Sequence, residues 1–210
     1  MKEWKGNADA ARSRIAVRKA DHTTKGREQD DFYATDPVAM QKLLDGCSPE
    51  LKDIFCINDF TAWECACGNG NLAECLKQNG WKVIASDLKD RGYGITGIDF
   101  LNPEYESTLQ HIIITNPPYS LATEFVERAM QILPEGGVYI ALMNVSYLAS
   151  KGRYERLYKH GILREIYVFS SRVNCWRNNE RQSKNSCMMV DYAWYVFQKG
   201  FAGQPTLYWL

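Results

Sequence analysis

The sequence lacks features of membrane-spanning, secreted and zinc-bound proteins. No apolar run approaches the roughly 20 residues that cross a membrane, and the first ten residues are polar, unlike a secretion signal. The seven cysteines are odd in number and give no disulfide framework. Cys65 and Cys67 form a C-x-C pair without the second pair typical of structural zinc sites. We therefore expect a cytoplasmic protein with reduced cysteines, no metal and no membrane partner.

The sequence also lacks net charge, because 25 basic side chains balance 25 acidic ones. The distribution is nevertheless uneven. Residues 1–30 carry eight basic and five acidic side chains, residues 31–150 seven and sixteen, and residues 151–184 nine and three. The basic 151–184 segment is either ordinary solvated surface or a surface that contacts phosphates.

The 210 residues have the composition of a globular protein, with 45% hydrophobic and 24% charged residues. Residues 1–30 are polar and nearly without periodicity, which predicts a flexible basic arm or one that orders on binding. We expect one folded domain over residues 31–210.

Within that domain, strand-like apolar runs alternate with helical stretches. The predicted strands are 61–66, 82–86, 112–115, 138–143, 166–169 and 191–198, and the predicted helices are 72–78, 121–132 and 150–160. Such alternation predicts an α/β fold with a mostly parallel sheet and helices on both faces. No helix precedes 191–198, so this strand is expected to run antiparallel, near an edge of the sheet.

A glycine-rich turn, Glu64-Cys65-Ala66-Cys67-Gly68-Asn69-Gly70, joins the first of these strands to the first of these helices. Glycines there let the backbone turn sharply and approach a ligand, although an ordinary turn has the same pattern. Asp87 ends the next strand, where a carboxylate can accept hydrogen bonds from a ribose diol. Ala73 can stand at the third glycine position of the G-x-G-x-x-G pattern, so a nicotinamide dinucleotide remains an alternative cofactor.

Asp99 can accept a hydrogen bond from an adenine amino group, with the Phe100 ring or its backbone beside the adenine. The alternative is that Asp99 caps a turn.

The segment Asn116-Pro117-Pro118-Tyr119 follows the apolar run 112–115. The two prolines fix φ and have no N–H, so we expect the backbone carbonyls around Asn116 and Pro117 to be held in an extended, outward-facing arrangement. If the Asn116 side-chain oxygen and the Pro117 carbonyl each accept an N–H of a ring-conjugated amine, its lone pair is directed at a methyl group on a sulfonium. Tyr119 offers a stacking face for a base flipped out of a duplex, or is a core aromatic.

These segments resemble the DNA amino-methyltransferases, most closely the small adenine-N6 enzymes of phage and prophage type. The resemblance covers residues 20–200 and the order of motifs is similar to the gamma arrangement. It implies a Rossmann-like fold with a seven-stranded sheet, S-adenosylmethionine as cofactor and double-stranded DNA as partner. The implied cofactor-binding residues are Phe32, Tyr33, Thr35 and Pro37, beside the methionine end, and Glu64, Ala66, Gly68, Gly70, Asp87, Asp99 and Phe100.

A later segment, Arg172-Val-Asn-Cys-Trp176, resembles the motif that offers an aromatic to the flipped base, here Trp176. Residues 170–190 form a candidate target-contacting loop. Arg172, Arg177, Arg181 and Lys184 lie in it, and we expect them to contact phosphates or the target site because charge is dense there.

Other functions use some of the same features. A cytosine-C5 enzyme needs a nucleophilic cysteine, typically after proline, and the sequence has no Pro-Cys pair. Cytosine N4, adenine in RNA and a protein glutamine amide remain alternatives, although glutamine methyltransferases usually carry a helical domain before the cofactor fold. A degenerate fold that only binds nucleic acid is the non-enzymatic alternative.

Overall fold

The structure is a computed structural model. It describes residues 33–56, 61–104, 111–171, 173, 175–177 and 191–210, without the side chains of Tyr33 and Cys175–Arg177. The predicted arm 1–30 and four predicted site residues, Phe32, Arg172, Arg181 and Lys184, lie outside the described residues. In the part that the structure describes, no helix is long and apolar enough to span a membrane.

The described chain alternates between strands and helices, as the sequence predicts. The strands are β1 Tyr33–Thr35, β2 Thr61–Glu64, β3 Lys82–Asp87, β4 Ile95–Thr96, β5 Ile112–Thr115, β6 Val138–Asn144, β7 Leu163–Val168, β8 Cys175–Arg177, β9 Tyr192–Gln198 and β10 Thr206–Trp209. The α-helices are α1 Pro37–Gly46, α2 Pro49–Phe55, α3 Asn71–Gln78, α4 Ala122–Ile132 and α5 Lys151–Arg156.

The main sheet has the order β10-β7-β9-β6-β5-β2-β3-β4. β9 runs antiparallel to both of its neighbours, and the other pairs are parallel. The α/β Rossmann-like class and the reversed strand are confirmed. The sheet has eight strands rather than the expected seven, because β10 pairs with β7 at one edge.

The strand order reverses between β2 and β5. From β2 the chain proceeds outward to β3 and β4, and β5 then returns to the other side of β2 and continues to β6. Open α/β sheets bind ligands at such a switch point, in the crevice outside the carboxyl ends of the strands. The glycine turn and Asn116 follow the two strands that flank this point.

Two hydrophobic clusters sandwich the sheet. α4 packs on one face around Phe125, and α1 and α3 pack on the other around Met40 and Leu76. All of β5 is buried, which agrees with its four-residue run of β-branched side chains. The strands whose ends carry the candidate site are therefore fixed from both faces.

Candidate functional site

The glycine turn between β2 and α3 is held tightly against β3. The Cys67 amide donates to the Ser86 carbonyl at 2.9 Å, and the Gly70 amide donates to the Cys67 carbonyl at 2.8 Å. Gly68 and Gly70 have positive φ angles of 56° and 84°, which side chains other than glycine rarely adopt. The turn therefore depends on glycine at both positions.

Asp87 lies directly opposite this turn. Its Oδ2 accepts from the Gly68 amide at 2.8 Å, and its Oδ1 accepts from the Lys89 amide at 2.9 Å. An ionised carboxylate offers about four acceptor positions. Asp87 thus ties two loops together and retains acceptor positions for a ligand diol.

Asp99 lies beside Asp87, because the Ile98 amide donates to the Asp87 carbonyl at 3.1 Å. Asp99 Oδ1 accepts from the Leu101 amide at 3.0 Å, so this carboxylate caps a turn. The Phe100 ring is buried, with ring centroids 5.3 Å from Trp63 and 4.9 Å from Phe125. The ring belongs to the core, so it is not open to a ligand at the turn.

Glu64 ends β2 as a buried carboxyl group, with 2% of its surface exposed. The Ala73 amide donates to it, and Oε2 has no hydrogen-bond partner within the part of the chain that the structure describes. Burial raises the pKa of this carboxyl well above its ordinary value. A buried acceptor without a partner is rare in proteins, and a cationic ligand group would satisfy it.

Asn116, Pro117, Pro118 and Tyr119 follow the end of β5. Pro117 is buried, and the other three are half-buried. Pro118 is extended, with φ −57° and ψ 121°, and its carbonyl accepts from the Leu121 amide at 2.9 Å as a short 3₁₀ turn begins at Tyr119. The Tyr119 ring lies 6.3 Å from the ring of Tyr192, so it combines core packing with partial exposure.

The glycine turn and the Asn116 segment start next to each other. Trp63 of β2 pairs with Ile113 of β5 in parallel register, and neighbouring strands lie about 4.8 Å apart. Glu64 and Asn116 therefore emerge at the same edge of the sheet. The structure brings together the segment predicted to bind the cofactor and the segment predicted to carry catalysis.

Residues 33–37, which were predicted to lie beside the methionine end of the cofactor, approach the same edge of the sheet. β1 and β8 form a separate antiparallel pair in which Tyr33 faces Arg177 and Ala34 faces Trp176. The Asn71 side chain, at the start of α3, donates to the Thr35 carbonyl at 3.2 Å. Pro37 begins α1. Thr35 thus lies beside the glycine turn, and the backbone of Trp176 and Arg177 lies beside β1.

Most described basic side chains of the 151–184 segment have protein partners. Arg156 makes two hydrogen bonds to Glu127, at 2.6 and 2.8 Å, and a further contact to Glu124. Arg164 donates to Gln198 at 2.7 Å, and Lys159 pairs with Glu155. Local pairing therefore accounts for these charges. The predicted phosphate contacts remain a prediction for Arg172, Arg177, Arg181 and Lys184.

Two residues near the turn were not predicted from the sequence. Leu88 follows Asp87 and is 58% exposed, unusually open for a leucine. Tyr93 packs against Gly70. An apolar residue directly after a strand-ending acid is a signal that could have identified Leu88.

No group of three or more metal-ligating side chains occurs in the described portion of the chain.

No protein-family profile matches the chain. Over 118 residues, 55% of the chain, it is 28% identical to the type II methyltransferase M.EcoRI of Escherichia coli, and this covers 33% of that protein. The chain thus spans about a third of the length of this curated relative.

Three solved structures share the fold. A putative class I S-adenosylmethionine-dependent methyltransferase from Listeria monocytogenes has a TM-score of 0.58 and 14% identity, covering 97% of this chain and 73% of that one. The type IIG restriction endonuclease BpuSI has a TM-score of 0.58 and 18% identity, covering 91% of this chain and 27% of that one. A putative RNA methyltransferase from Pyrococcus horikoshii has a TM-score of 0.61 and 18% identity, covering 88% of this chain and 95% of that one. The chain therefore has the Rossmann-like fold of the methyltransferases.

Proposed function

We propose that this protein transfers a methyl group from S-adenosylmethionine to the N6 amine of adenine in DNA. The observation that carries the proposal is the position of Asn116–Tyr119. This segment leaves β5 at the switch point of the sheet, next to the glycine turn that leaves β2. The sequence similarity to a type II methyltransferase supports methyl transfer as the reaction.

The residues around the glycine turn fit this cofactor. Asp87 has acceptor positions for the ribose hydroxyls, and the exposed Leu88 side chain beside it can cover one face of an adenine. Asp99, despite its turn-capping bond through Oδ1, keeps a second oxygen that can accept from the adenine amine. The buried Glu64 carboxyl suits the cationic methionine end. We assign Thr35, Ala66, Gly68, Gly70 and the segment from Phe32 to Pro37 to the same site.

When bound, S-adenosylmethionine supplies an electrophilic methyl group on a sulfonium. The protein must then orient a poor nucleophile, because the lone pair of an exocyclic amine is delocalised into its ring. Asn116 Oδ1 and the Pro117 carbonyl accept the two N–H bonds, which draws the lone pair out of conjugation. The two prolines restrict the backbone, which is extended at Pro118, and so hold both acceptors in place before the base arrives.

The base must leave the duplex for Asn116 to reach its amine. The half-buried ring of Tyr119, supported by Tyr192, offers a face on which the flipped base stacks. We assign Trp176 to the same pocket and Arg172, Arg177, Arg181 and Lys184 to the DNA backbone or target site. The order of the segments is similar to the gamma arrangement, and we propose, from the resemblance of the motifs, that the protein is an enzyme of the small phage and prophage type.

Methyl transfer to different polymers tests the proposal. Labelled S-adenosylmethionine is incubated with the protein and, separately, with unmethylated duplex DNA, structured RNA or a protein acceptor rich in accessible glutamine. We expect label in the DNA alone. Label in RNA or protein alone would contradict the DNA assignment, and no label in any acceptor despite cofactor binding would favour a degenerate, binding-only protein.

A further inference from the structure

The loop that follows β3 folds back across the glycine turn. Tyr93 in this loop presses its ring against Gly70. A Cβ atom placed on Gly70 would lie 2.5 Å from two carbon atoms of that ring, closer than real Cβ contacts. The Tyr93 ring therefore occupies the side of Gly70 on which any other residue would carry its side chain.

Several contacts hold Tyr93 in this position. Its hydroxyl donates to Glu74 and accepts from the Lys77 ammonium at 2.8 Å, and both partners belong to α3. The Lys77 ammonium also lies 5.1 Å from the ring centroid. The Tyr93 carbonyl accepts from the Cys67 thiol at 3.7 Å. The side chain is thus bonded to the helix, and the backbone is bonded to the turn.

The chain on either side of Tyr93 is also tied down. A Cβ on Gly94 would lie 2.7 Å from the Ala85 carbonyl oxygen of β3, so the backbone passes the strand too closely for a larger residue. At the start of the same loop, Asp87 accepts from the Gly68 amide. The loop therefore begins and ends against the glycine turn and β3, and Leu88 lies between these two attachments.

We propose that Tyr93 is a positioning residue of the cofactor site, an inference that rests on the function proposed above. By bonding the loop to α3 and packing on Gly70, Tyr93 keeps Asp87 and Leu88 at a fixed distance from the glycine turn. Such preorganisation lowers the cost of ordering the site when a ligand binds. Glycine is required at position 70 because the Tyr93 ring lies there, in addition to the positive φ.

Cofactor titration of single variants tests the positioning role. We expect Tyr93→Ala to weaken S-adenosylmethionine binding about tenfold and Tyr93→Phe, which keeps the ring on Gly70, to recover most of that loss. In initial-rate assays on DNA, Tyr93→Ala should raise KM for the cofactor and leave kcat nearly unchanged. Tyr154→Ala, at an exposed tyrosine on α5, is the matched control and should bind like the native protein.

A double-mutant cycle tests the contact with Gly70. Gly70→Ala combines backbone strain at positive φ with a clash against the ring. In the Tyr93→Ala background the clash is absent, so Gly70→Ala should weaken cofactor binding and lower the unfolding midpoint less than it does in the native protein. Equal losses in the two backgrounds would contradict the packing role.

The outcomes separate the two proposals. If the native protein binds no S-adenosylmethionine, the proposed function fails and the positioning role fails with it. If the native protein binds the cofactor but Tyr93→Ala binds it equally well, the positioning role alone is wrong. A KM unchanged by Tyr93→Ala, with only a lowered unfolding midpoint, would likewise overturn the positioning role and leave Tyr93 a structural residue.

Discussion

In the proposed mechanism Asn116 supplies one of two acceptors for the target amine, so its removal should affect chemistry rather than binding. We expect Asn116→Ala to lower kcat by about 10²–10³-fold, the usual effect of removing one preorganised hydrogen-bonding group from an active site. Cofactor affinity should remain within about twofold of the native value, because the residues proposed to bind the cofactor lie outside the Asn116–Tyr119 segment. Single-turnover methylation and cofactor titration measure the two quantities.

A matched asparagine variant controls for nonspecific damage. Asn79 caps the far end of α3, where it bonds to Gln41 and to the Cys75 carbonyl. Asn79→Ala should lose some stability and keep its kcat. If the two variants lost kcat equally, Asn116 would have no special role in methyl transfer.

The proposed contact between Glu64 and the cofactor predicts that cofactor binding depends on pH. Burial raises the pKa of its carboxyl in the free protein, whereas a cationic ligand beside it favours the ionised form and lowers that pKa. Binding therefore releases a proton, and affinity should rise with pH, by at most tenfold per pH unit. Calorimetric titration with S-adenosylmethionine over a pH series should show this slope in the native protein and a flat profile in Glu64→Gln.

The same residue affects stability with a defined sign. Since the folded protein binds a proton that the unfolded chain releases at its ordinary pKa of 4.5, the stability of the free protein should fall as pH rises above that value. Glu64→Gln should remove this decline. Identical pH dependence in native and variant proteins, for binding as well as unfolding, would show that Glu64 does not titrate in this way.

Some residue roles could be read from the sequence and others could not. Asp87 ends a strand next to a glycine turn, and this local pattern was enough to place it opposite that turn. The burial of Phe100 depends on Trp63 and Phe125, which are distant in sequence. Tyr93 was missed for the same reason, because its contact with Gly70 spans a strand and a loop.

At the scale of elements, α2 is anchored to β7 by a buried carboxylate. Glu165 accepts from the Ser48 hydroxyl at 3.0 Å and from the Tyr167 hydroxyl at 2.6 Å. Glu165→Ala would leave both hydroxyls buried without this acceptor. We expect the free energy of unfolding to fall by about 3 kcal/mol, measured by urea denaturation, with cofactor affinity unchanged.

Glu155 provides the comparison for that loss. It pairs with Lys159 on the surface, and about half of its side chain is exposed. Glu155→Ala should cost less than about 1 kcal/mol, as exposed ion pairs do. Similar losses for the two glutamates would mean that the buried network does not anchor α2.

The elements that were predicted well are those with strong local patterns. β5, β6 and β9 are apolar along their length and were placed to within one residue at each end. The helices α1 and α2 were not predicted, although each starts with a capping residue followed by proline, Asp36-Pro37 and Ser48-Pro49. β10 was missed because three of its four residues are exposed at an edge of the sheet, where pairing with β7 rather than burial makes it a strand.

For the whole molecule, the uneven charge distribution predicts which residues would contact DNA in the proposed function. Arg156, Lys159 and Arg164 are paired within the protein, so we expect Arg172, Arg177, Arg181 and Lys184 to make the phosphate contacts. Changing these four residues to glutamine should reduce the slope of log affinity against log salt by up to about 3.6. Fluorescence anisotropy with a duplex oligonucleotide, measured over a salt series, gives the slope.

A control for the salt-dependence measurement removes two positive charges from a surface away from residues 172–184. Lys52 and Lys82 are exposed, and Lys82 starts β3 at the edge of the sheet opposite the site. Their double change to glutamine should leave the slope unaltered. A native slope in the fourfold variant would rule out phosphate contacts by the 172–184 residues.

The identity of the methylated nucleoside tests the central proposal most directly. Unmethylated duplex DNA is incubated with the protein and labelled S-adenosylmethionine, digested to nucleosides and separated by chromatography with mass detection. Adenine-N6 transfer predicts that the label elutes with N6-methyldeoxyadenosine in the native protein and is lost in Asn116→Ala. Label in N4-methyldeoxycytidine, or in no nucleoside from DNA, would contradict it.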